Sequence, residues 1–108
     1  MIIAVDFDGT LCRNKYPAIG RPNRRVIRRA LRRQRRGDVL ILWTCRSGRQ
    51  LAEAVEWSAA QGLVFDYVNE NTRENLAAFG GIDNRKIYAD EYWDDKAKRV
   101  KLWQMKRR

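Results

Sequence analysis

The sequence predicts an α/β fold, a three-layer, Rossmann-like domain with a parallel central sheet and helices on both faces. Two observations lead there. Short, continuously apolar runs alternate with amphipathic stretches of helical length, the pattern of strands joined by right-handed helical crossovers and buried on both faces. An acid or a threonine stands directly after three of those runs, where a parallel sheet presents its ligand-binding groups. A length of 108 residues corresponds to one domain, 1–108, with a modest core and no room for a second substrate-binding domain.

Taken in order, Ile2 to Val5 is an apolar run that reads as a buried first strand and delivers Asp6 at its carboxyl end. Gly9 and Thr10 break the run, and the stretch through Tyr16, Pro17, Gly20 and Pro22 reads as a loop leading to Asn23, a helix cap. Val26, Ile27, Ala30, Leu31 and Gln34 then recur at helical spacing among arginines until Gly37, which predicts a surface helix with a narrow apolar stripe. Val39 to Trp43 reads as a buried strand with Thr44 to Gly48 as its turn, and Leu51, Val55 and Ser58 mark a second helix closing near Gly62. A short strand over Phe65 to Val68 and a helix over Asn71 to Phe79, ended by Gly80-Gly81, follow. A last strand occupies part of Lys86 to Trp93 and ends in Asp94-Asp95. The basic tail from Lys96 to Arg108 is expected to be helical, with Val100 and Trp103 inward.

Composition narrows the function. No apolar run approaches the roughly 18 residues of a membrane span, and the start reaches Asp6 too soon for a signal sequence, so a cytoplasmic location is expected. Cys12 and Cys45 do not make a disulfide framework and are assigned no role. With no histidine, any general acid or base is a carboxylate, Lys, Tyr or Cys. The net charge of +10 attracts polyanions, and its excess lies in residues 24–36 and at the C-terminal end, while acids gather at Asp6, Asp8 and Asp90 to Asp95. The Arg24 to Arg36 helix allows a nucleotide or nucleic acid as partner. The alternative, favoured because no aromatic platform accompanies these arginines, is a solvated helix face.

The strongest signal is Asp6-Phe7-Asp8-Gly9-Thr10-Leu11. Two acids at i and i+2 after a buried strand, with a glycine that frees the backbone to turn, place two carboxylates in one mouth. That suits a two-carboxylate mechanism in which one attacks phosphorus and the other moves protons. The simpler alternative is a pair of turn-capping acids. The hexapeptide resembles the first motif of the haloacid dehalogenase superfamily, Leu40 to Thr44 resembles its second motif, and Tyr92-Trp93-Asp94-Asp95 its fourth, in that order from residue 2 to residue 95.

The resemblance implies Asp6 as nucleophile, Asp8 as general acid/base, and Thr44 as a phosphate-binding hydroxyl, with Gly9 and Thr10 also in the phosphate-binding loop. Magnesium would be held by Asp6, the backbone carbonyl of Asp8, Asp94 and Asp95. Independently, acids brought this close would repel one another and drive a pKa upward without a cation, and an all-oxygen ligand set suits magnesium. For the superfamily's charge-stabilising cation both Lys86 and Arg46 are candidates. An unbroken strand from Lys86 to Asp94 would separate its ends by about 26 Å and put Asp90 about 13 Å from Asp94, so a break near Ala89 to Glu91 is required. The gaps between motifs hold no substantial cap domain, and capless members tend to act on large substrates or to form homo-oligomers. The expected function is a magnesium-dependent phosphomonoester hydrolase working through an aspartyl-phosphate, with nucleotides or nucleic-acid ends as substrates. The alternatives are a basic nucleic-acid-binding protein with little catalysis and a phosphotransferase domain.

Overall fold

A computed structural model describes residues 1–100. Its elements are β1 (Ile2–Val5), β2 (Cys12–Lys15), β3 (Ala18–Pro22), α1 (Arg24–Arg35), β4 (Val39–Leu42), α2 (Gly48–Ala60), β5 (Tyr67–Val68), α3 (Arg73–Ala78) and β6 (Glu91–Trp93). Strands β5, β4, β1 and β6 lie side by side in that order, all parallel. The chain steps outward from β1 through β4 to β5, then returns to the other side of β1 for β6. The crevice between the carboxyl ends of β1 and β6 is therefore the switch point where such sheets bind ligands.

The apolar runs explain the layers. Ile3 and Val5 of β1 share one face with Leu40 and Leu42 of β4, and against it pack Ile27 and Ala30 of α1 and Ala54 of α2. Asn23 caps α1 by accepting from the Val26 amide at 3.4 Å, and Gln34, a polar member of the stripe, pins the loop beyond α2 through Gly62 O and Val64 N. The other face carries Ala4 and Ile41, and here the expectation of a full helical layer is corrected. Ile87 and Ala89, in the irregular segment before β6, close that core, while α3 buries none of its residues.

Three further differences have physical causes. The expected loop after Thr10 is a two-stranded antiparallel ribbon, β2–β3. Its residues Arg13 to Lys15 are exposed, so no apolar period announces it. The two strands approach so closely at Gly20 that a Cβ there would lie 2.2 Å from Arg13 O. The third strand shrinks to Tyr67–Val68, while Phe65 packs on the core without joining the sheet. Beyond β6, residues 96–100 form no helix and Val100 is exposed, against its expected inward position, and Trp103 lies outside the described residues. Among the described residues no cap domain is present, and no helix is long and apolar enough to cross a membrane.

Candidate active site

The hydrogen-bond ladder of the sheet continues one residue past β1. The Asp6 amide donates to Trp93 O at 2.8 Å and the Trp43 amide to Val5 O at 2.9 Å, which sets Asp6 at the head of the β1–β6 crevice. Phe7 is fully buried and meets Trp57 edge-on at 5.5 Å, anchoring the loop between the two acids. Gly9 then turns with φ +91°, and a Cβ there would sit 2.4 Å from Asp95 Oδ2. Both the conformation and the close approach require glycine.

Three carboxylates meet at this point. Ligand oxygens of Asp6, Asp94 and Asp95 lie within 4.8 Å of one another. Thr10 ties them together, since its hydroxyl donates to Asp6 Oδ2 and accepts from the Asp95 amide, both at 3.1 Å. Burial and then the neighbouring Asp94 charge push the Asp6 carboxyl up to about 6, with Asp95 adding to the rise and the Thr10 hydrogen bond opposing it. Gly9 and Thr10, expected in a phosphate-binding loop, seat Asp95 and orient Asp6.

The trio opens into a cavity of about 500 Å³ that Asp8, Arg46, Cys45 and Lys96 also line, with Asn14 and Tyr16 reaching in from the β2–β3 ribbon. Thr44 stands in an adjoining recess with Asp6, Cys45 and Asp94. Its amide donates to Asn69 Oδ1 at 2.8 Å, and its hydroxyl accepts from the Arg46 amide at 3.1 Å.

Asp8 and Arg46 form a unit of their own. Arg46 is 2% exposed, and its Nε and Nη2 each donate to one oxygen of Asp8 at 2.8 Å. Its remaining hydrogen bonds go to the carbonyls of Pro17, Ala18 and Gln50. The guanidinium carbon lies 5.0 Å from the ring centroids of both Phe7 and Tyr16. This corrects the expectation of Arg46 as a phosphate-binding cation, because its planar fork is spent on Asp8 and on the ribbon. It also changes the expected picture of Asp8, because both of its carboxylate oxygens are engaged by Arg46. The Asp8 side chain stays outside the Asp6, Asp94 and Asp95 group.

Lys86 is exposed and lines a different cavity with Asn84, Tyr88 and Tyr92. The required break before β6 exists, but it carries Lys86 onto the second face of the sheet and not to the mouth. Asp90 sits at the amino end of β1, where it accepts from the Ile2 amide at 2.7 Å and from the Tyr88 hydroxyl at 3.1 Å. Besides Arg46, the cation that lines the mouth is Lys96, which was not among the expected site residues. Its place immediately after the paired acids was the available signal. Asn14 and Tyr16 were missed because their segment reads as a loop.

The fold and the mouth together define an α/β domain with a parallel sheet whose switch point is lined by carboxylates. No family model and no curated protein matches the sequence. Among solved structures, the chain is similar to a conserved protein from Bacteroides thetaiotaomicron, with 37% identity over 97% of this chain and 84% of that one and a TM-score of 0.79. At that identity and coverage, the chain belongs to the same family as the Bacteroides protein.

Proposed function

We propose that this protein is a phosphomonoesterase of the haloacid dehalogenase type, with Asp6 as nucleophile and magnesium as cofactor. The observation that supports it best is the convergence of Asp6 with Asp94 and Asp95, from opposite ends of the chain, at the sheet's switch point. The donor set fits a hard divalent cation, since all three groups offer carboxylate oxygens within 4.8 Å of one another, and burial followed by the Asp94 charge raises the Asp6 carboxyl. Asp6, Asp94 and Asp95 would hold the ion, with the Asp8 carbonyl as a further ligand. When bound, it would offset the charge of the phosphoryl group and polarise its oxygens.

The chain's own residues divide the remaining work. Thr10 holds Asp6 in one orientation, and an Asp6 carboxylate oxygen attacks phosphorus. The bond from phosphorus to the ester oxygen breaks, and the departing alkoxide takes up a proton from the Asp8 carboxyl, which the hydrolytic water later restores. Water then attacks the aspartyl-phosphate, the bond from phosphorus to Asp6 breaks, and inorganic phosphate leaves with the Asp6 carboxylate restored. Asp8, held by Arg46 with both oxygens accepting, is arranged to take the proton of that water. Protonating an alkoxide leaving group requires the Arg46 fork to open first. Thr44 and Lys96, which line the mouth and its adjoining recess, would meet the phosphate oxygens.

The test is phosphate release from nucleotides, sugar phosphates, end-phosphorylated oligonucleotides and an aryl phosphate, with magnesium and with chelator. Asp6→Asn is expected to lower release at least a thousandfold while leaving the fold intact. Asp8→Asn should impair alkyl esters more than the aryl ester, whose leaving group needs no proton. Equal activity of Asp6→Asn and wild type would overturn the proposal.

A further inference from the structure

We infer that the arginine face of α1, continued by Arg13 and Arg21 beside the catalytic loop, is a binding surface for the phosphodiester backbone of a nucleic acid. Arg24, Arg25, Arg28, Arg29, Arg32 and Arg35 are all exposed. Among the described residues none of the six is in an ion pair, whereas Arg33 and Arg36 of the same stretch pair with Asp38.

Helix stability accounts for Arg32 and Arg35, which stand in the last turn at the negative end of the dipole, but not for the four arginines before them. The first turn of α1 contains no acid, so Arg24 and Arg25 stand at the positive end of the helix dipole, where cations are unfavourable. The spacing also sets Arg24 against Arg28, Arg25 against Arg29 and Arg28 against Arg32, like charges four residues apart that repel along one face. A polyanion laid on the helix removes all of these penalties together. A lipid surface fits poorly, because the apolar stripe of α1, Ile27 and Ala30, is buried in the core and leaves nothing to insert.

The surface extends to the loop that carries Asp8 and Gly9. Arg13 and Arg21 line a cleft of about 330 Å³ together with Gly9 and Asn23, and no acid lines it. Gly9 belongs to this cleft and also seats Asp95, so the cleft lies directly behind the catalytic loop. From there the twelve residues of α1 extend the cationic track by about 18 Å. A track of that length matches a chain of repeated charges better than a single phosphate, and no cap among the described residues bars a polymer from the mouth.

The surface is tested independently of catalysis by fluorescence anisotropy with a short labelled single-stranded oligonucleotide in chelator, using wild type and Asp6→Asn. Both are expected to bind alike at about 50 mM salt, with affinity falling steeply as salt rises. Replacing Arg24, Arg25, Arg28 and Arg29 together by Gln should weaken binding at least tenfold and flatten the salt dependence by roughly three. That variant should melt no lower than wild type, since repulsion has been removed, which separates lost binding from lost folding. Arg13→Gln with Arg21→Gln should also weaken binding. Absence of binding at low salt, binding unchanged in the fourfold variant, or equal affinity for polyglutamate would overturn the inference. Binding lost through α1 but untouched by the Arg13 and Arg21 changes would overturn its extension to that loop.

Discussion

The two ends of the β1–β6 crevice handle acids in opposite ways. At the amino end, Asp38 accepts from Arg33 at 2.7 Å and from the N-terminal amine at 2.9 Å, with Arg36 at 3.2 Å, and Arg33 also reaches Glu91. The Arg33 hydrogen bond and then the amine hold the Asp38 carboxyl down at about 2. At the carboxyl end, Asp6, Asp94 and Asp95 crowd together and Asp6 rises to about 6. The nearest buried cation, Arg46, is turned to Asp8 instead. One end satisfies its charges from within the chain and so serves stability. The other is left in deficit, and a charge deficit at a switch point is what a cation and a phosphate would complete.

Breaking the Asp8 pair should give the largest change in stability. Arg46→Ala leaves a half-buried carboxylate without its partner and frees three carbonyls, so a loss of about 3–5 kcal/mol is expected by urea denaturation. Arg46→Lys should recover only part of it, because an ammonium cannot reproduce the two-pronged contact. Next comes Gly9→Ala, which places a Cβ against Asp95 at positive φ. It should cost about 1–3 kcal/mol and weaken divalent-cation affinity, read by calorimetric titration.

The deficit can be sharpened through pH. An acid raised from its usual value near 4 to about 6 destabilises the fold when ionised. That penalty is present above pH 6 and disappears as pH falls through 6 towards 4. Magnesium at a hundredfold excess over its Kd at pH 7.5 should therefore stabilise the fold by about 2–3 kcal/mol there, and the same concentration should raise the melting temperature less at pH 5. An equal shift at both pH values would count against the carboxylate trio as its site. The smallest effect belongs to the amino end. Asp38, lowered to about 2, contributes stability that is complete above its unfolded value near 4 and is lost as pH falls through 2. Asp38→Asn should flatten the acid limb of the stability profile without altering metal binding.

Particular elements show which features were legible. Strands β1 and β4 were readable because both their faces are buried, which makes every position apolar. Helix α1 was readable from its narrow stripe and the Asn23 cap. The β2–β3 ribbon was not, since a solvent-facing two-stranded ribbon has no core-facing period. Nor was the cover of the second face, because Ile87 and Ala89 do their packing from irregular backbone. Within the site, Asp6, Asp94 and Asp95 were legible as acids following strands. Arg46 was identified as a cation in the right place but assigned the wrong partner, and Lys96 was overlooked in favour of Lys86.

The sequence by itself determined the class of fold, the order of its parallel-sheet strands along the chain, and which acids stand at strand ends, because burial and strand termination are written in local residue type and spacing. Only the tertiary structure decided the partnerships. Whether Arg46 faces a phosphate or Asp8, and whether Lys86 or Lys96 reaches the mouth, depends on contacts between segments as far apart as Asp8 and Arg46 or Thr10 and Asp95. Charge acts through distance in space, and spacing along the chain does not specify that distance.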